Sequence, residues 1–515
     1  MAKKRQFLFT KSFFFIFFIM SCIFLLSITS LASNNINPPD QETLQKFLTD
    51  FEDYAEQARQ DWGVPGMAIS IVQGDEMIYA KGFGVKKVGE NDPVDEKTIF
   101  QIGSTSKAFT AALVAMMVDE GKLHWKDKVI DYLPDFRMYD PWVTREFLIN
   151  DAMAQHSGMP GYAGDFLSFI GYGREHIINS IRYIQPISSF RCEFAYMNNL
   201  FLVAASLVEK VSGKTWEENL QERILDPLGM NDTTCIQDGF TQAPNVAYLH
   251  QNLKGQAKVL PMDWQYIDWV YTYSPAGGIN SNVIDMAKWM VLQLNEGVYE
   301  GKQLVSKENI QYMHSPKTIS DGNNFYDFAW ITTKYEPYPL IWHNGGTSGI
   351  KSVIQIIPEA KLGIVVLTNM SDTSLPEALG KQFVDLYFGN PSKDWSAESL
   401  KTYKETLSQE AKIPDIPKEK PLPLEFYIGE YANPVYGEAV VSIEGDNLVF
   451  TLGPKQIKVV LQPWNRDTFT SSLTDYLDEA GFVHFQVDPL GKAYKMTVDM
   501  LNDGNIGCFD RIVDE

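Results

Sequence analysis

The sequence predicts an α+β fold followed by a small antiparallel β-barrel domain, on three observations. Strand-like runs stand at both ends of a segment whose middle is helical, a proline-rich stretch interrupts the chain near residue 415, and apolar–polar alternation fills the remainder of the chain. At 515 residues the chain exceeds the roughly 250 to 300 at which single cores stop growing. With 45% hydrophobic and 13% aromatic residues it can bury two cores.

The chain opens on a basic start, an apolar run from Phe13 to Ile28, and the small-residue end Ser30-Leu31-Ala32. This pattern predicts a signal peptide over residues 1–32, cut after Ala32, and a periplasmic or secreted protein. Left uncut, the same segment would allow a transient membrane association.

Residues 40–62 have the apolar spacing of an amphipathic helix, and "GMAISIVQGDEMIYAKGFGV" gives two apolar runs about a Gly-Asp turn, a hairpin. Helical patterns follow at "QIGSTSKAFTAALVAMMVDEG", "LFLVAASLVEKVSG" and "SNVIDMAKWMVLQLNEG", each ending in glycine. Strand patterns return at "FAWIT", "PLIWH", "SVIQIIP" and "LGIVVLTN". These elements define a first domain over 40–391, an antiparallel sheet flanked by helices. Residues 392–420 combine a polar helical stretch with prolines at 414 and 417, and are read as a linker. Residues 421–515 alternate between tight-turn dipeptides and form the β domain.

Formal net charge is −21, and the first 32 residues carry only Lys3, Lys4, Arg5 and Lys11, so the remainder is more acidic still. That balance argues against nucleic acid and anionic lipid head groups as partners. Beyond residue 32 only Cys192, Cys235 and Cys508 remain; one Cys192–Cys235 bridge is open to them but not demanded. There is no CxxC or HExxH and the seven histidines are scattered, so no metal and no cofactor is expected. "SGKTW" has Val208 where a phosphate-binding loop needs its first glycine, and no GxSxG is present.

Chemistry centres on Ser104 and Lys107. Three residues apart at a helix start, they share a face, and the amine can take the hydroxyl proton. A lysine among Ala108, Phe109 and Ala111 is desolvated, which favours the neutral base. The chain holds a second such pair, Ser348 and Lys351, but it leads into an alternating strand where positions three apart face opposite ways. Two more groups stand before or at the end of apolar elements: Tyr196 with Asn198, and His343 with Gly345 and Gly346.

Taken in order, SxxK, YxN and HxG resemble the serine β-lactamase and penicillin-binding protein superfamily, in its class C-like branch. "AQHSGMPGY" and "SPAGGINSNVIDMAKWM" are similar to the same branch. The resemblance covers about residues 50 to 390. It implies that Ser104 is the acylated nucleophile, Lys107 its base, and Tyr196 the group that moves a proton to or from the leaving group. It implies further that Asn198 bonds the substrate's acyl side and Lys107, and that the backbone N–H groups of Ser104 and Gly346 form the oxyanion hole. Where relatives carry Lys-Thr-Gly this chain has His343-Asn344-Gly345, so anchoring of a substrate carboxylate should be weaker. The expectation is a peptidase, amidase or esterase acting on a small-molecule or peptide substrate. The alternatives are a class C-like β-lactamase, a D-alanyl-D-alanine carboxypeptidase, and a catalytically silent receptor. The terminal segment resembles the lipocalin-like β-barrel appended to some of these hydrolases, through Tyr427-x-Gly429-x-Tyr431, Gly437 and Trp464.

Overall fold

The computed structural model describes residues 40–253, 255–390, 393–409, 418–471 and 481–513; the leading segment lies outside them. Helix α1 (Gln41–Trp62) buries Leu48, Phe51, Ala55, Ala58 and Trp62, a stripe at alternating spacings of three and four. Strands β1 (Gly66–Gln73) and β2 (Glu76–Gly84) form the expected hairpin. The middle of the chain is helical, with α2 (Lys107–Asp119), α3 (Asn199–Ser212) and α4 (Val283–Leu294) as its long members. Helix α2 is buried from Lys107 to Met117, so its apolar character on every face has a place to go.

The chain then returns to the sheet through β3 (Thr318–Asp321), β4 (Asn324–Tyr326), β5 (Ile331–Thr333), β6 (Leu340–Thr347), β7 (Ile350–Ile357) and β8 (Leu362–Thr368). The sheet order is β2-β1-β8-β7-β6-β5-β4-β3, antiparallel throughout. Every residue of β8 and nearly all of β1 and β7 are buried because helices cover both faces of these strands. Helix α4 takes one face, with Ser70 Oγ donating to the Val283 carbonyl at 2.8 Å. Helix α5 (Leu375–Phe388) takes the other, and a Cβ on its Gly380 would stand 2.4 Å from the Gln355 amide, so the helix lies directly on β7.

Two expectations change. Ser104 does not open the α-helix: Gly103–Ser106 form a 3₁₀ turn, and α2 begins at Lys107. Gly103 has φ +54°, a left-handed conformation, because its backbone is pressed against Gly345 and Gly346. The stretch read as a linker begins with its polar helix, α6 (Trp395–Gln409), but that helix is docked on the first domain. Trp62 Nε1 donates to Ser396 Oγ at 3.0 Å, Trp395 Nε1 to Asp385 at 2.6 Å, and the rings of Trp62 and Tyr403 lie 5.6 Å apart. Residues 410–417, with Pro414 and Pro417, lie outside the described residues.

The terminal domain is a closed antiparallel barrel of β9 (Gly429–Asn433), β10 (Gly437–Glu444), β11 (Asn447–Leu452), β12 (Ile457–Asn465), β13 (Thr468–Ser471), β14 (Gly481–Val487), β15 (Ala493–Val498) and β16 (Cys508–Arg511). The rings of Tyr427, Phe469 and Phe485 meet inside it, edge-on or tilted, at centroid distances of 5.0 to 5.7 Å. The barrel seats on the segment from Pro160 to His176. Tyr172 Oη donates to the Tyr436 carbonyl at 3.1 Å, Lys455 N to the Ile170 carbonyl at 3.1 Å, and Lys455 Nζ pairs with Asp268 at 2.6 Å. Cys192, Cys235 and Cys508 are free thiols. Among the described residues no helix is long and apolar enough to cross a membrane.

Gly504 seals this seat: its φ is +67°, and a Cβ there would stand 2.0 Å from Pro160 Cγ. Gly504→Ala is expected to destabilise by about 1 to 3 kcal/mol, the usual cost of overpacking, and to loosen the barrel. Thermal denaturation together with faster proteolysis between the domains checks it; an unchanged melting curve and digest contradict it.

Candidate active site

The 3₁₀ turn bearing Ser104 is clamped from two sides. On one, Ile102 N donates to the Ile279 carbonyl at 2.9 Å, Ile279 N to Ser106 Oγ at 3.2 Å, and Thr110 Oγ1 to the Pro275 carbonyl at 2.7 Å. On the other is β6. Ser352 Oγ, across from Gly345 on β7, donates to the Ile102 carbonyl at 2.8 Å, and Thr347 Oγ1 donates to Gln101 at 2.7 Å. A Cβ on Gly345 would lie 2.1 Å from the Ile102 carbonyl oxygen and 3.0 Å from Ser104 N; one on Gly103 would lie 2.5 Å from Gly346 N. Only glycines let the two backbones meet, and their meeting puts Ser104 N and Gly346 N along one seam.

Lys107 is fully buried. Its Nζ lies 3.0 Å from Ser104 Oγ and donates to the Ala276 carbonyl at 2.7 Å. It also stands over the Tyr196 ring at 4.7 Å and the Phe201 ring at 5.5 Å. Burial drives its pKa down to about 7, against the opposing charge of Asp165. The neutral amine is therefore well populated at neutral pH, with its lone pair free to take a proton.

Tyr196 is brought to the same place by a loop stitched to its neighbour: Tyr162 N donates to the Tyr196 carbonyl at 2.8 Å, and Met197 N to Gln155 Oε1 at 2.6 Å. Burial holds the phenol well above its ordinary pKa, with the Ser104 hydroxyl beside it acting in the opposite sense. It can donate a proton but is a poor resting base. Asn198 Nδ2 donates to Asp165 Oδ2 at 2.6 Å. The expected Asn198–Lys107 hydrogen bond is thus replaced by one to Asp165, a residue with no signature in the sequence, because a single aspartate in an irregular loop carries no periodic or motif signal.

His343 points inward from β6 and is buried. Its Nδ1–H donates to the Asn344 carbonyl at 2.6 Å and its Nε2 accepts from Tyr326 Oη at 3.4 Å. Burial, then the nearby Lys107, press its pKa down to about 3. Both ring nitrogens are engaged and the ring is neutral, so it offers a substrate carboxylate no cationic clamp. Gly346, by contrast, is exposed on the strand. The second pair is split, since Ser348 Oγ accepts from Trp269 Nε1 at 3.0 Å while Lys351 pairs with Glu377 at 3.3 Å. Among the described residues no cluster of His, Cys, Asp and Glu could hold a metal.

The family model described as Beta-lactamase matches residues 51–386, and one described as Domain of unknown function (DUF3471) matches residues 414–506. An unguisins hydrolase of Aspergillus campestris is 28% identical over 469 residues, covering 82% of this chain and 84% of its own. Penicillin-binding protein 4 of Amycolatopsis lactamdurans is 24% identical, covering 60% of this chain and 82% of its own. Among solved structures, the octameric penicillin-binding protein homologue from Pyrococcus abyssi superposes with a TM-score of 0.60 at 23% identity, over 88% of this chain and 98% of that one.

The burial of Lys107 has a thermodynamic consequence. Its pKa is lower folded than unfolded, so between about pH 7 and 10 the unfolded chain binds more protons and stability rises with pH. Lys107→Met is expected to remove that slope, gaining most over the native protein below pH 7 and nothing above about pH 10. Denaturant titrations across this range check it; parallel profiles contradict it.

Proposed function

The chain belongs to the beta-lactamase family, and on that premise we propose that it is a secreted or periplasmic serine hydrolase that cleaves an amide or ester bond through an acyl-enzyme on Ser104. The observation that carries the reading is the buried Lys107 amine, 3.0 Å from the Ser104 hydroxyl and with its pKa near 7. In acylation Lys107 takes the Ser104 proton as Oγ attacks the carbonyl carbon, and the oxyanion forms against the N–H groups of Ser104 and Gly346. Tyr196 then delivers a proton to the leaving amine or alkoxide; in deacylation the resulting tyrosinate takes a proton from the attacking water, and Lys107 returns its proton to Ser104 Oγ as the acid leaves. Asn198 borders the acyl side of the substrate.

His343 serves as a neutral wall of the pocket, and this supports a substrate whose carbonyl end needs no cationic clamp for a free carboxylate. A peptide amide fits that description, and the similarity to a protein named as an unguisins hydrolase supports a hydrolase. The barrel beside the site limits which substrates enter. Export by the segment before Ala32 belongs to the same reading.

Intact-mass spectrometry against β-lactams, D-amino-acid amides and p-nitrophenyl esters identifies the acyl group Ser104 accepts. Ser104→Ala is expected to abolish turnover and labelling with the fold retained, and Lys107→Met to abolish acylation. For the native enzyme, the acylation rate should rise with pH through about 7 as the amine deprotonates. Because the imidazole stays neutral, KM for anionic and neutral substrates should follow one pH profile between 6 and 7. Turnover near the native rate in Ser104→Ala overturns the mechanism, and a KM profile that rises through that range only for anionic substrates restores a charged His343.

A further inference from the structure

Asp165 is a buried ionisable group bonded to the site through Asn198, and the mechanism above has no use for it. It stands at the start of a short 3₁₀ turn, Asp165–Leu167, in the loop that leads from Tyr162 toward the barrel seat. One carboxyl oxygen accepts from Asn198 Nδ2 at 2.6 Å; the other is buried without a hydrogen-bond partner among the described residues. A carboxylate left half-satisfied in this way is costly, and a structure that keeps one uses its charge or its proton.

The groups acting on Asp165 come from five parts of the chain: Lys107 from α2, Tyr162 from its own loop, Tyr196 beside Asn198, Tyr273 from the clamp segment, and Tyr436 and Asp503 from the barrel. All four phenols have pKa values above their ordinary one, so they stay neutral. His343, which faces Lys107, is neutral as well. The charges that remain are the carboxylate of Asp165, the ammonium of Lys107 and the more exposed carboxylate of Asp503.

We propose that Asp165 is a positioning residue of this site: one oxygen holds Asn198 in place, and its charge sets whether Lys107 faces Ser104 as an amine or as an ammonium. A carboxylate at Asp165 stabilises the ammonium; the protonated acid releases Lys107 to the amine that can take the Ser104 proton. Moving one proton from Lys107 to Asp165 leaves the site's net charge unchanged and replaces two buried opposite charges, not in direct contact, by two neutral groups, the cheaper state in a low-dielectric interior. Burial pushes the two groups in the directions this requires, Asp165 up to about 7 and Lys107 down to about 7. Asp503 acts from the barrel by opposing ionisation of Asp165. The inference rests on the hydrolase reading for its functional meaning, but not for its test.

Full-length protein carrying ε-¹³C-lysine reports the Lys107 titration directly, the resonance being assigned by its absence in Lys107→Met. Asp165→Asn keeps the shape and an acceptor for Asn198 but removes the charge. It is expected to lower the Lys107 midpoint by about one pH unit or more, the range of a neighbouring opposite charge. The acid limb of kcat/KM on p-nitrophenyl acetate should move down with it. Asp503→Asn is expected to shift both upward, because Asp165 then ionises more readily. A midpoint in Asp165→Asn that coincides with the native one overturns the proposal. If that variant does not fold, Asp503→Asn decides alone, and coincidence with the native titration overturns it. Turnover retained by Ser104→Ala would strike the hydrolase reading and leave the titration as readable as before.

Discussion

The structure turns on one unfavourable act: taking a lysine amine wholly out of water and holding it beside a serine. A protonated amine would demand a partner of opposite charge at contact; a neutral amine asks only for one acceptor and a dry wall. Lys107 receives the Ala276 carbonyl, the faces of Tyr196 and Phe201, and the packed interior of α2. These come from three stretches of chain, around Ala276, around Tyr196 and Phe201, and α2 itself, so the helical middle must be packed before the amine is shut away from water. The stacked rings of Phe109 and Trp289, 3.9 Å apart, join the same helix to α4 and through it to the sheet.

The second constraint is backbone against backbone. Gly103 and Gly345 are the positions where two main chains come closer than any side chain permits, and the left-handed Gly103 turns the chain out of the short strand Phe100–Gln101 into the Ser104 turn. That geometry exposes the Ser104 amide at a turn start, where its N–H has no helical partner. The seam is then held by the side-chain hydroxyls of Ser352 and Thr347 bonding across it, while Ser106 ties the turn to Ile279 on its other side.

Much of this was legible in the sequence, for identifiable reasons. The hairpin β1–β2 and the barrel strands announce themselves by alternation and by glycine turns, and α2, α3 and α4 by unbroken apolar runs that end in glycine or just short of it. Ser104, Lys107 and Tyr196 stood out because hydroxyl, amine and phenol sit at the edges of such runs, and the fold brings them together. The features hidden from the sequence depend on distant chain. The 3₁₀ turn at Gly103–Ser106 is imposed by β6, the docking of α6 depends on Trp62 and Asp385, and the neutrality of His343 comes from burial under Tyr326 and Tyr196. Asp165 is the extreme case, an acid whose significance lies in the groups it faces and nowhere in its neighbours along the chain.

Strand β1 is flanked by its hairpin partner β2 and by β8, with Met67 opposite Thr368 across some three hundred residues. The helical middle, with Ser104 and Lys107, is thus enclosed in a loop whose ends close only when β8 has been made. Closing so long a loop is slow and late in folding. A nascent chain that has already exposed Ser104 and Lys107 lacks the β6 backbone against which the Ser104 turn is pressed, and the surface that shuts water away from the amine is still unbuilt. The pairing of Ser104 with a dry Lys107 amine is therefore among the last things the fold completes, although both residues are made early.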